Sequence, residues 1–146
     1  MSLTPEEFVA KLKAVPGKLK RMDTREALQE VIPSIYQSVQ KNYGRQTDET
    51  GAVWPPRKDN LPHPLLILSG VMFDASTGGL GSFQRVDSRS AEMGIRGGVV
   101  PYAGVHHDGN SRVPKRRFFY LHADEEPMVR QKFGVKTVDL FRKNVI

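Results

Sequence analysis

Between Gly44 and Pro64 the chain cannot hold a regular element. Pro55, Pro56, Pro62 and Pro64 each lack a backbone donor and fix φ, and Gly51 adds a turn position. The segment is predicted to be a loop of about 20 residues, longer than compact domains carry without a functional reason. It divides a helix-patterned front from a glycine-rich rear. It also holds the only tryptophan, Trp54, which either anchors the loop on its own domain or serves as a contact anchor for a partner.

Ahead of the loop, helix signals are dense. Thr4, Pro5 and Glu7 form a capping box with proline at the first helical position, and Leu3 and Phe8 have the spacing of a hydrophobic staple. Phe8, Leu12, Val15 and Leu19 recur at helical spacing, and Pro16-Gly17 is predicted to end or kink this helix after about 12 residues. Asp23-Thr24-Arg25-Glu26 is a second capping box. Leu28, Val31, Ile32, Ile35, Tyr36 and Val39 then share one face. A bend is expected at Pro33 and a C-terminal cap at Gly44. Lys11, Lys13, Lys18, Lys20, Arg21 and Arg25 make this helical pair basic, which is either a solvated face or a surface for an acidic partner.

Behind the loop the pattern is read as β-rich. Leu65–Leu68 is a short apolar stretch, and Val71–Ser76 and Ser82–Val86 flank the glycine-rich turn 77–81 as strands. Ser90–Arg96 alternates, with Ala91, Met93 and Ile95 on one side, and Arg116–His122 is a further strand candidate. Asp124-Glu125-Glu126-Pro127 opens a last helix, with Val129 and Phe133 on its apolar side and Gly134 expected to break it. Residues 135–146 form a half-apolar arm carrying Val138, Leu140, Phe141 and Val145, which packs back or docks on a neighbour. The expected fold class is α+β: N-terminal helices on a small, mainly antiparallel sheet, with a C-terminal helix, in one domain spanning 1–146.

Composition narrows the function. With no cysteine, a disulfide framework, cysteine-ligated zinc, Fe–S clusters and a thiol nucleophile are excluded. The longest apolar run, Leu65–Leu68, is far short of a membrane span of about 20 residues. The acidic Met1–Glu7 is unlike a signal peptide, so a soluble intracellular protein with no membrane partner is expected. A net charge of +6 favours an acidic partner or a crowded assembly.

No constellation points to catalysis. His106-His107-Asp108 has the residue types of a metal site, but adjacent histidines diverge on either a strand or a helix, and no His-x3-His spacing accompanies them. Gly78-Gly79-Leu80-Gly81 lacks the Lys-Ser/Thr ending of a phosphate loop. No enzyme, metal or cofactor is expected. More telling is Arg112-Val113-Pro114-Lys115-Arg116-Arg117-Phe118-Phe119-Tyr120, four cations directly before three aromatics. Nucleic-acid binders interleave such residues, while the structural reading is a loop feeding a strand whose two phenylalanines face opposite ways.

The order of these signals resembles the phage virion morphogenesis and tail completion family, of Mu-type and P2-type, and more loosely the HK97-like neck proteins. The resemblance runs over about residues 24–133 and rests on Trp54-Pro55-Pro56-Arg57, Leu65–Gly70, the hairpin before Ile95, Tyr102–Gly109, Pro114–Phe119 and the acidic helix start at 124. Pro114, Arg116 and Phe118 satisfy the family's Pro-x-Arg-x-Phe pattern, whereas His107-Asp108 is bulkier than the family's usual turn. The resemblance implies a structural protein of tail completion or head–tail joining, acting as a ring of identical subunits. It would be made in the cytoplasm of a bacterial host and end in the virion, against tail tube and neck proteins. Six copies, the usual tail symmetry in such phages, would carry about +36 and need acidic neighbours or DNA. Trp54, Tyr102, His106, Gly109, Arg116, Arg117 and Phe119 are the expected subunit or partner contacts. Arg112, Lys115, Arg116 and Arg117 are the expected contacts to packaged DNA or an acidic neighbour, and neutralising the last three is expected to leave the fold intact. The alternative is a small basic nucleic-acid-binding protein.

Overall fold

The computed structural model describes residues 4–59 and 61–144, except the side chains of Phe8 and Leu12. The Leu3–Phe8 staple and Val145 therefore lie outside the described residues. The element order is α1 (Pro5–Arg21), α2 (Arg25–Arg45), α3 (Val71–Ser76), β1 (Ser82–Val86), β2 (Ala91–Ile95), α4 (Ala103–Asp108) and α5 (Glu126–Asn144). The fold is α+β, with helices towards both ends and, among the described residues, one two-stranded antiparallel sheet.

The capping box of α1 forms as read: Thr4 Oγ1 accepts from Glu7 N at 3.2 Å and Glu7 Oε2 accepts from Thr4 N at 2.9 Å. Pro16 and Gly17 do not end the helix, which continues to Arg21. Pro16 is exposed, so water can take the carbonyl its ring leaves without a donor. The second box does not close. Thr24 Oγ1 instead donates to Ser88 O at 2.7 Å, tying the start of α2 to the hairpin turn. Nor does Gly44 cap α2: the helix runs on to Arg45, and Gln46 takes the left-handed conformation at φ 55°.

Val71–Ser76 is a helix, not a strand. Its buried residues, Met72, Ala75 and Ser76, have helical spacing. The hairpin is instead β1 with β2, paired from Ser82↔Ile95 to Val86↔Ala91. Phe83 lies over Gly94, where a Cβ would meet its ring at 2.5 Å. Gly134 does not break α5, so the predicted arm is the continuation of that helix up to Asn144. An exposed helical glycine costs only about 1 kcal/mol against alanine, and Val129 and Leu140 are buried on either side of it.

Arg116–His122 is not a strand either, for an instructive reason. Side chains occupy the backbone groups a neighbouring strand would have used. Asn42 Nδ2 donates to Phe118 O at 3.0 Å and to Tyr120 O at 2.8 Å, the Trp54 indole donates to Arg117 O at 3.0 Å, and His122 N donates to Ser38 Oγ at 2.9 Å. Ser38 and Asn42 of the buried polar stripe of α2 are thus the partners of an extended chain, while Ser34 on the same stripe accepts from Lys132 Nζ of α5 at 2.9 Å. Tyr43, Trp54, Phe118, Val39, Met72 and Val100 are the larger members of the core. Tyr43 stacks edge-on with Trp54 and Phe73 at centroid distances of 6.2 and 5.0 Å. Ser76 Oγ donates to Phe73 O, so the Tyr43 hydroxyl donates to Ser76 at 2.8 Å, and burial raises the phenol's pKa.

Candidate functional site

The three sequence-distant segments around Trp54, Tyr102–Gly109 and Pro114–Phe119 interlock. Trp54 is 3% exposed and packs in the core of its own chain, so it anchors the loop. Arg116, also buried, donates through Nε to Pro55 O at 2.9 Å and through Nη2 to Pro56 O at 3.1 Å. Its backbone N donates to His106 O at 3.0 Å, joining the loop, α4 and the basic segment at one residue. Burial, with the Arg57 charge nearby, pushes the Arg116 pKa down. The guanidinium is therefore a clamp on two proline carbonyls. Neutralising it would leave both without this donor, which overturns the expectation that a Lys115, Arg116, Arg117 triple substitution spares the fold.

The remaining cations divide by environment. Arg117 pairs at the surface with Glu49 at 2.9 Å, an exposed bridge worth at most about 1 kcal/mol. Arg112 and Lys115 are exposed. Phe118 is buried in the core and Phe119, half-buried, packs against the same core, so the expected parting of the two to opposite faces is not seen.

Gly109 ends α4 at φ 72° and ψ 170°. A Cβ there would stand 2.6 Å from Lys115 N and 2.8 Å from Lys115 Cα. Asn110 Oδ1 then accepts from Arg112 N at 2.8 Å and Val113 N at 2.7 Å, folding the chain back so that Lys115 can pass over the glycine. Gly109→Ala is expected to cost at least about 2 kcal/mol through strain and clash. Gly104→Ala, whose added Cβ meets nothing within 4 Å, is expected to be neutral or slightly stabilising. Chemical denaturation of the two variants checks this; equal losses would remove Gly109 from the argument.

The interlocked unit forms one wall of an open groove of about 410 Å³, facing the loop 57–70. Leu61, Leu65, Leu66, Leu68 and Met72 supply its apolar surface, and Arg57, Lys58, Arg116, His63 and His106 its cationic and imidazole groups. Leu61 is 54% and Leu68 77% exposed, and both line this groove. Tyr102 stands at the rim, 42% exposed, edge-on to His106 at 6.0 Å. Among the described residues His106 Nδ1 is buried without a hydrogen-bond partner, and burial followed by the Arg116 charge lowers its pKa. On the loop side, Arg57 Nε donates to Asp59 at 2.7 Å and Nη1 to His63 O at 2.8 Å. His63 Nδ1 lies 2.8 Å from Arg57 Nη1 and 3.1 Å from Pro64 O, and its Nε2 lies 2.8 Å from Arg57 Nη2, so both ring nitrogens meet one guanidinium.

Of the residues singled out from sequence, His106, Tyr102 and Arg116 line this groove; Gly109 and Phe119 shape the segments behind it, and Arg117 and Trp54 hold those segments together. The leucines of residues 61–68 were missed, although four consecutive apolar residues beside a proline loop were a visible signal. The buried polar stripe of α2 was also missed, because serine and asparagine in a helix read as outward-facing. Among the described residues, no group of three or more His, Asp or Glu could hold a metal ion, and no helix is long and apolar enough to cross a membrane. No protein-family model, no curated protein and no solved structure matches the chain.

Proposed function

We propose that this chain is a structural phage assembly protein that acts in tail completion or head–tail joining as a ring of identical subunits. The observation that supports this most is the groove: exposed leucines and fixed cations mounted on the unit in which Trp54-Pro55-Pro56, Tyr102–Gly109 and Pro114–Phe119 interlock. Those are the segments that carry the resemblance to tail completion proteins. Apolar surface of this kind, rimmed by polar groups, suits a protein–protein contact. In a closed ring each subunit offers one patch to the next and a different patch to the previous one.

The nucleic-acid reading draws less support. Arg116 and Arg117 are engaged within the chain and Phe118 is buried, so the segment offers no row of stacking aromatics behind four free cations. Electron microscopy of particles made without this chain tests the assembly role. Filled heads separate from tails, restored to joined particles when the chain is supplied, is the expected result.

A further inference from the structure

Resting on the reading of the chain as a ring subunit, we infer that the N-terminal turns of α1 from one copy occupy the Leu61–Leu68 groove of the next copy.

Among the described residues, α1 is tied to the rest of the chain at its C-terminal end: Arg89 Nη2 donates to Leu19 O at 2.9 Å, and Thr24 just beyond it is tied to Ser88. Its other end is different. Pro5, Glu6, Glu7, Val9, Ala10 and Lys11 are all exposed, Val9 by 47%. A helix of 17 residues is marginal in water without packing, and these exposed side chains leave a face on which a second surface can pack.

The chemistry of the two surfaces matches. Glu6, Val9 and Ala10 have the spacing of one helical face, an acid beside apolar groups. The groove offers Leu61 and Leu68 beside Arg57, Lys58 and Arg116, with Asp59 the only carboxylate among the described residues that line it. Charge also sets the polarity of docking. Lys11 and Lys13 follow within two turns and would be repelled by the groove's cations, so the acidic first turn enters and the basic remainder stays outside. Arm and groove are different patches, so the contact is heterologous and propagates from copy to copy, as a ring requires.

The absence of native cysteine makes the test direct. Full-length Val9→Cys and Leu68→Cys proteins are mixed and oxidised, so that any disulfide must join the two introduced thiols or two copies of one. The expected result is a mixed Val9–Leu68 dimer about tenfold above that formed with Leu80→Cys, an 82% exposed position outside the groove. Reversing Glu6 and Glu7 to lysine in the arm partner should abolish the excess, and Lys58→Glu in the groove partner should recover part of it. Equal yields at Leu68 and Leu80, a predominance of Val9–Val9 dimers, or indifference to the charge reversals would overturn the assignment. Failure of the crosslink with heads and tails still separating in the absence of the chain would sink the contact and leave the role. A specific crosslink with normal joining in its absence would do the reverse.

Discussion

Phe118→Ala is expected to lower the free energy of unfolding by about 3–5 kcal/mol, the range for truncating a buried phenylalanine. Phe118 is 1% exposed, its ring centroid 5.6 Å from Tyr43 and 5.1 Å edge-on from His107. It thereby packs the extended 116–122 segment between α2 and α4. The backbone at this residue keeps its bond from Asn42 in the variant, so the loss reports the side chain. Phe119→Ala, at a half-buried position, should cost about 1 kcal/mol. Urea titration of both variants measures the difference. Similar losses would mean that the segment is not seated on the α2 face as described.

The second large effect is electrostatic and depends on pH. Glu125 is 7% exposed and faces Arg45, Lys41, Ser38 and His122. The Arg45 guanidinium takes it bidentately, with Nη1 at 3.0 Å from Oε2 and Nη2 on Oε1. Ser38 Oγ donates to Oε2 at 2.9 Å. These contacts, Arg45 foremost, hold the carboxyl at about 2, against an ordinary 4.5. Because the folded-state value is the lower one, the stabilisation is fully present above pH 4.5 and is lost as pH falls from there through about 2. By linkage it amounts to about 3 kcal/mol. Glu125→Gln should therefore be less stable than the wild-type chain by about that much at pH 7, with the gap closing toward pH 2. A gap independent of pH would show that the carboxylate is not held by Arg45 in the folded protein.

Much of the fold was legible where local chemistry decides the outcome. The Thr4–Glu7 box, the apolar face of α2, the strands Ser82–Val86 and Ala91–Ile95 and the acidic start of α5 all depend on neighbours in sequence. The misreadings have one cause in common. Pro16, Gly44 and Gly134 were given their intrinsic tendency to stop helices, and in each case the helix continues. Continuing α2 past Gly44 brings Arg45 to Glu125, a partner 80 residues away. The 116–122 segment has the pattern of a strand, yet Asn42, Ser38 and Trp54 hold it, and no rule of spacing relates those residues to it.

The site was legible in its residues and not in its assembly. Arg116 stands out in the sequence as one of four cations, which suggests a surface charge. Only the folded chain shows it turned inward onto Pro55 and Pro56, while Leu61 and Leu68 line the groove beside it. The loop that follows Arg45 carries Trp54 into the core and, from Arg57 on, lines the groove.

The most direct test of the assembly role is to add purified chain to heads and tails separated by its absence, and to count joined particles by electron microscopy. The account predicts that the wild-type chain joins them and that Leu68→Asp, folded but with a charge in the groove, does not. Joining by Leu68→Asp at the wild-type level, or heads and tails already joined before any chain is added, would contradict it.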